Sequence, residues 1–478
     1  MTPTRPNILF IMSDDHAAHA MSCYGSRINT TPQIDRIARE GMRFDNCFCT
    51  NSLCAPSRAS IMSGTYSHIN GVRILSDKLD PGTDTFVRRL QASGYQTALV
   101  GKWHLYTEPR GFDYYKMLPG QGLYHDPYFI ESGSRFDWES ITNQHDETMG
   151  LQERGYVTDL IADSCIKWLD QRDPEKPFML MCHHKAPHRP WETDEKHKDM
   201  YADIDIPEPE TLYDDYATRS RAAREAKMRV GEHMYATDVK REIPGELHGN
   251  ELRSWAYQYY IKDYLRCVAS IDDNVGRLLD YLDENGLAEN TLVIYTSDQG
   301  FFLGDHGWYD KRFMYEESLR MPFVVRYPKE IAAGAVNTDI ILNHDFPALF
   351  LELAGADIPK AWQGRSFRPL LHGETPTDWR TGMYYRYWEH GGHGVFAHYG
   401  LRTERYKLIY YYGDPLDTGC GYNEVKEPEW ELFELEKDPR ELRNVYADDE
   451  YVDVVKELKN ELHRLQAEAG DERYYKDK

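Results

Sequence analysis

The sequence predicts an α/β fold built on a large, mainly parallel sheet, followed by a smaller α+β unit with an antiparallel sheet. Three observations carry this. Short, continuously apolar runs alternate with helical periods, as in strands buried on both faces between crossover helices. Most of these runs end in a polar cluster. Beyond Gly373-Glu374-Thr375-Pro376 the pattern changes to aromatic, alternating segments. A chain of 478 residues is too long for one simple core, so two packed units are expected, 1–375 and 376–478.

Taken in order, Arg5 to Ser13 is a strand through the apolar run Asn7 to Met12, and it delivers Asp14-Asp15 at its carboxyl end. Thr31 caps a helix whose first residue is Pro32. Ala59-Ser60-Ile61-Met62 begins a short helix whose first turn would offer amides and Arg58 to an anion. Gly94 to Gly101 is a strand ending at Lys102-Trp103-His104. Val157, Leu160, Ile161, Cys165, Trp168 and Leu169 repeat at helical spacing and lead to the strand Pro177 to Cys182, which ends in His183-His184-Lys185-Ala186-Pro187-His188. Residues 193–250 are charged, carry Pro207, Pro209 and Pro244, and show no apolar period. They read as a long, partly helical insertion over the sheet edge or the cleft. Tyr257 to Leu282 is an amphipathic helix stopped by Asn285-Gly286. Thr291 to Thr296 is a strand ending in Ser297-Asp298-Gln299-Gly300, and Arg320 to Arg326 is a fifth. In the second unit, Met383 to Tyr387, Leu401 to Thr403 and Tyr406 to Tyr411 read as antiparallel strands, closed by a helix from Asp449 to Ala467.

Charge excludes some partners. With 56 Lys and Arg against 79 Asp and Glu, the net charge is −23, so no basic field exists to attract nucleic acid. An anionic substrate is then compatible only with cations gathered locally, helped by a metal. The eight cysteines, Cys23, Cys47, Cys49, Cys54, Cys165, Cys182, Cys267 and Cys420, show no zinc spacing and read as mostly reduced and buried. Met1 to Pro6 leads straight into the first strand, with no apolar segment and cleavage site. No run is long enough to span a bilayer. The expectation is a cytoplasmic protein without membrane partners, periplasmic or secreted if a signal has been removed.

In a parallel sheet the strand ends gather on one edge, where ligands bind. Asp14, Asp15 and Asp298 are three carboxylates, and Gln299 adds an amide oxygen. All-oxygen donors suit a hard cation, calcium first and magnesium second. Without a cation, three converging carboxylates would raise one another's pKa. Asp14-Asp15 as a helix cap is the alternative, and it fits Asp15 better than both. Arg58, Lys102, His104, His188 and Lys311 would supply the local positive charge. An Arg fork donates to a tetrahedral oxyanion in two directions, and a lysine acts on it as a point charge. His183 and His184 read as structural or supporting.

Around Cys54-Ala55-Pro56-Ser57-Arg58 the flanks are specific in combination. Asn7 to Gly25, Gly94 to Leu105, Ala186-Pro187-His188-Arg189-Pro190, Ser297-Asp298-Gln299-Gly300 and Lys311 ahead of Tyr315 to Pro322 follow in order, then Gly400 to Leu408 and Leu432 to Pro439. Together these blocks resemble the type I, formylglycine-dependent sulfatases, across the whole chain apart from 193–250. The resemblance implies an alkaline-phosphatase-like fold and hydrolysis of a sulfate ester. It implies that Cys54 is oxidised to formylglycine by a maturase, and that Asp14, Asp15, Asp298, Gln299 and the modified Cys54 bind calcium. It further implies that Arg58 holds the hydrate, Lys102 and Lys311 grip the sulfate, His104 takes the remaining hydroxyl proton, and His188 is the general acid on the leaving oxygen. The family often has Asn where this chain has Gln299, one methylene longer. A gem-diol suits the chemistry, since one hydroxyl attacks sulfur and the other expels sulfate as the aldehyde re-forms.

A phosphonate monoester or phosphodiester hydrolase of the same superfamily is the alternative enzyme, and an inactive glycan-binding relative the alternative without chemistry. The expected substrate is a small sulfated carbohydrate. The segment Tyr384 to His398 reads either as sugar-stacking faces near the cleft or as a packed sheet. His390 and His393 within it, and Arg402 beyond it, are expected to bind substrate.

Overall fold

A computed structural model describes residues 5–419 and 424–471. Cys420, and the first four residues bearing on a leader, lie outside the described residues. Ten strands form the main sheet: β1 (Asn7–Ser13), β2 (Met42–Phe44), β3 (Gln96–Lys102), β4 (Tyr114–Leu118), β5 (Tyr128–Glu131), β6 (Leu151–Gln152), β7 (Phe178–His183), β8 (Thr291–Ser297), β9 (Phe323–Arg326) and β10 (Ala335–Asn337). Their order is β10-β2-β9-β8-β1-β7-β3-β4-β5-β6. The central block β8-β1-β7-β3-β4 is parallel throughout. The fifth strand read from the sequence, β9, runs antiparallel to β8 and β2.

Alternation within β1 explains its unbroken apolar run. Ile8, Phe10 and Met12 enter one apolar cluster with helices α2 (Cys54–Ser63), α3 (Phe86–Ala92) and α6 (Phe346–Ala354), while Leu9 and Ile11 enter the other with α1 (Pro32–Glu40), α4 (Val157–Gln171) and α5 (Gly249–Glu284). The sheet is therefore the middle layer of a three-layer sandwich, and polar groups are tolerated only at its strand ends. α5 begins earlier than the sequence expectation, because Arg253 and Ala256 are already buried. Residues 193–248 carry two short helices, Arg221–Glu225 and Ala236–Val239.

Four antiparallel strands, β11 (Gly382–Tyr387), β12 (His398–Thr403), β13 (Tyr406–Tyr411) and β14 (Glu429–Glu434), pair in sequence order and pack against α7 (Val452–Ala469). The small sheet docks onto the loop before α2, where the Ser52 amide donates to Tyr385 Oη at 3.1 Å, and Tyr385 Oη donates to the Arg312 carbonyl at 2.6 Å. Among the described residues no helix is long and apolar enough to cross a membrane.

Candidate active site

Register assembles the site. β1 pairs with β8 so that Ser13 faces Ser297, and the acids that follow, Asp14-Asp15 and Asp298, leave the sheet side by side. β7 flanks β1 on its other side and carries the chain to His188, with β3 next, ending at Lys102. Gly101 is required here: its φ is +104°, and a Cβ would meet the His183 carbonyl oxygen at 1.9 Å. Asp15 also adopts the left-handed conformation, with φ 67°. Tyr264 of α5 pins it, accepting from the Ala17 amide and donating to the Asp15 carbonyl, both at 2.8 Å.

α2 begins at Cys54 itself, earlier than the start expected at Ala59. Pro56 sits in the first turn, where a missing N–H costs no intrahelical bond. Cys54 is thereby buried at a helix start, 1% exposed. Its thiol donates to Asp14 Oδ1 at 3.3 Å, and Lys311 Nζ lies 3.2 Å from Sγ. Burial, reinforced by Asp14, holds this thiol well above its usual pKa, so as an unmodified cysteine it is protonated and a poor nucleophile.

One turn on, Arg58 Nε donates to Asp298 Oδ2 at 3.0 Å and Nη1 to the Lys102 carbonyl at 2.7 Å. Lys102 Nζ contacts Asp14 and Gln121 Oε1, and Lys311 Nζ contacts Asp15. Asp14, Asp15 and Asp298 each offer an oxygen within 4.8 Å of the others. Burial alone would raise the Asp14 carboxyl, but Lys102, His188, Arg58 and Lys311 hold it well below the usual range. Burial raises Asp15 to about 7 despite Lys311, and raises Asp298 to about 6 with help from Asp14.

The donor set fits a hard cation. Three buried carboxylates converge, two of them pushed toward the neutral form that a cation would reverse. Gln299 donates through Nε2 to Asp15, and its Oε1 is buried without a hydrogen-bond partner. Turning that amide would aim Oε1 at the carboxylates, which is favourable only with a cation among them. Arg58 Nη2 and both ring nitrogens of His104 are likewise buried without hydrogen-bond partners. Burial, followed by Lys102, holds the His104 and His188 rings well below their usual pKa. His188 Nδ1 donates to the Arg189 carbonyl at 2.8 Å, which leaves Nε2 as the second nitrogen, 3.8 Å from Asp15 Oδ2.

A cavity of about 720 Å³ opens from Cys54, lined also by His188, Lys311 and His393. His390 and Arg402, the other two residues expected to bind substrate, are elsewhere. His390 is fully buried, accepting from the Ala397 amide at 3.2 Å and donating to the Glu424 carbonyl at 3.1 Å. Arg402 pairs with Glu316 at 3.2 Å and packs on Phe48. Arg402 projects from β12 into a buried cluster with Glu316, Lys407 and Glu441, away from the cavity. Sequence reading also missed residues that line the cavity: Gln121, Tyr124, Lys185, Tyr235, Asp310 and Arg312. Asp310 and Arg312 flank Lys311, and Lys185 precedes His188 by three, so proximity to chosen residues was an available signal. Gln121 and Tyr235 carried none.

Comparison with known proteins agrees in one direction. Residues 6–356 match the family model described as Sulfatase, and 304–468 match one described as N-sulphoglucosamine sulphohydrolase, C-terminal. An N-acetylglucosamine-6-O-sulfatase of Bacteroides thetaiotaomicron is 42% identical, over 98% of this chain and 87% of its own. A solved structure in complex with its substrate D-glucosamine-2-N,6-O-disulfate superposes with a TM-score of 0.90 at 41% identity, covering 98% of this chain and 99% of that one. The phosphonate monoester hydrolase of Agrobacterium radiobacter, at 23% identity and a TM-score of 0.75 over 97% and 96% of the two chains, shares the fold.

Proposed function

The chain belongs to the sulfatase family and is a sulfuric ester hydrolase, and we propose that it removes sulfate from a 6-O-sulfated glucosamine through a formylglycine made from Cys54. The observation that carries the reading is the setting of Cys54. Its sulfur lies 3.3 Å from Asp14 and 3.2 Å from Lys311, beside a three-carboxylate cluster, yet its own thiol is held protonated. A nucleophile belongs at this spot, and the encoded side chain is a poor one. The 6-O-sulfated hexosamine comes from the similarity to the Bacteroides enzyme.

In this reading Asp14, Asp15, Asp298, Gln299 and the modified Cys54 would hold calcium, with magnesium as the second choice. When bound, the cation neutralises the carboxylates and polarises a sulfate oxygen. Oxidised by a maturase, Cys54 would supply a gem-diol, one hydroxyl for displacing the sugar oxygen from sulfur and the other for expelling sulfate as the aldehyde re-forms. Lys102 and Lys311 hold the non-bridging oxygens. Arg58 is clamped by Asp298 and the Lys102 carbonyl, and its Nη2, without a hydrogen bond and 3.7 Å from Asp14 Oδ2, is free to donate to the hydrate. His104 takes the second hydroxyl proton. His188 gives a proton from Nε2 to the leaving sugar oxygen, and the negative charge of a bound ester favours the protonated ring it needs. Asp310, Arg312 and His393 form a linked trio on the cavity wall, with His393 Nε2 3.8 Å from Asp310 Oδ2, and suit the ring hydroxyls of the sugar. Residues 1–375 act as the catalytic unit, with 193–250 bordering the cleft, and 376–478 as a smaller unit that contributes His393 to the cavity wall.

The test is paired expression with and without a formylglycine-generating maturase. Matured protein should release sulfate from N-acetylglucosamine-6-sulfate, and the Cys54 peptide should have lost hydrogen sulfide and gained one oxygen. Cys54→Ser should be inactive with a cysteine-specific maturase. Full turnover by protein whose Cys54 remains a thiol would overturn the mechanism. Turnover of other sulfated sugars but not this one would overturn the substrate.

A further inference from the structure

The cations that line the cavity are not equivalent. Lys311 has Asp15, Arg312 has Asp310, and Arg189 has Asp238 as a carboxylate partner. Lys185 lines the same cavity and is 2% exposed. Among the described residues no carboxylate lies within ion-pair distance of it. Its Nζ has the Arg189 carbonyl at 3.5 Å, too long for a strong bond, and the ring of Tyr124 at 4.9 Å. Burial, followed by Lys102, lowers its pKa to about 8, and Glu147, Asp14 and Glu192 favour its charge only from a distance.

That setting is rigid. Lys185 sits between the end of β7 and the loop carrying His188, and Tyr124 Oη donates to the His188 carbonyl at 2.5 Å. The ring under the ammonium is therefore anchored to the loop that carries the proposed general acid. A buried ammonium with one weak acceptor is costly unless something supplies the missing negative charge. The scissile sulfate is already provided for by Lys102 and Lys311.

We propose that Lys185 binds a second oxyanion carried by the substrate, so that this enzyme prefers sugars bearing another sulfate or a carboxylate near the 6-O-sulfate. The proposal deepens the functional reading above and rests on it. It assigns Lys185 to specificity and leaves every bond-making step to other residues.

The experiment compares matured parent, Lys185→Met and Lys185→Arg on three substrates. These are 6-O-sulfated N-acetylglucosamine, glucosamine 2-N,6-O-disulfate, and a 6-O-sulfated N-acetylglucosamine joined to a uronic acid. The readout is the kcat/KM ratio of each doubly charged substrate to the singly charged one, in which any loss common to all substrates cancels. Lys185→Met should lower that ratio by about 10- to 100-fold, the range of a hydrogen bond to a charged group. Lys185→Arg should keep most of it. The doubly charged substrate that responds identifies the oxyanion as sulfate or carboxylate. Equal losses on all three, the result if Lys185 served the scissile sulfate or only the fold, would overturn the proposal. Inhibition of aryl sulfate turnover by glucosamine 2-N-sulfate against glucosamine adds a readout that does not need the sugars to be hydrolysed. The anionic inhibitor should weaken about tenfold in Lys185→Met if the oxyanion is sulfate, and a uronic-acid-bearing glucosamine should do so if it is carboxylate; unchanged ratios for both would overturn the proposal even if no 6-O-sulfated sugar were a substrate.

Discussion

Tyr264→Phe tests how the site is held. The ring would stay stacked on Phe301, whose centroid is 5.8 Å away, so the change removes one oxygen and little packing. That oxygen accepts from the Ala17 amide and donates to the Asp15 carbonyl at 2.8 Å each, among fully buried residues. Each buried partner left without a bond costs about 1–3 kcal/mol, so the variant should lose about 2–6 kcal/mol of stability. Against a typical total of about 5–15 kcal/mol this is large but survivable. Because the bond also holds Asp15 in the left-handed conformation, the ligand loop should relax and calcium affinity should fall by about tenfold, equivalent to about 1.4 kcal/mol. Urea denaturation gives the first quantity, and the calcium midpoint of activity in the matured enzyme gives the second. A variant within about 0.5 kcal/mol of the parent, or a destabilised one with an unchanged calcium midpoint, would refute the argument.

Three further outcomes are expected. His188→Ala should cost about 10²–10⁴-fold on sugar sulfates, whose leaving oxygen needs a proton, and far less on activated aryl sulfates; equal losses would make His188 a sulfate-binding residue. Asp15 and Asp298, raised to about 7 and about 6, favour folding below the ordinary carboxylate pKa and lose that contribution as pH rises through those values. Calcium competes with those protons, so the rise in Tm on adding calcium should be larger at pH 8 than at pH 5, and equal shifts would place the cation elsewhere. Gln299→Asn should weaken calcium binding less than Asp298→Ala, which also strips Arg58 of its carboxylate; the reverse order in a binding titration would remove Gln299 from the proposed ligand set.

Much of the layout was legible because it is local. A run such as Asn7 to Met12 buries both faces, and the first polar residues after it mark the strand's carboxyl end, so Asp14, Lys102 and Asp298 could be read as strand-end residues from sequence alone. The same local logic places the start of α2 at Ala59 rather than Cys54, because a proline in a first turn, such as Pro56, does not bar helix. It also could not say which face of β12 Arg402 would take.

What the sequence by itself determined is the fold class, the family, and the chemical types gathered for the reaction: carboxylates, cations, imidazoles and one cysteine in a specific pentapeptide. Only the tertiary structure decided adjacency. The strand order β8-β1-β7-β3 is set by pairings between residues up to nearly 300 positions apart, and it is this order that brings Asp298, Asp14, His188 and Lys102 to one point. The same is true of charge balance. Whether a buried lysine is neutralised depends on which carboxylate the fold carries within about 4 Å, and pairing at that range has no signature along the chain. Lys102 and Lys311 receive such partners and Lys185 does not, which is why its proposed role emerges from the folded molecule alone.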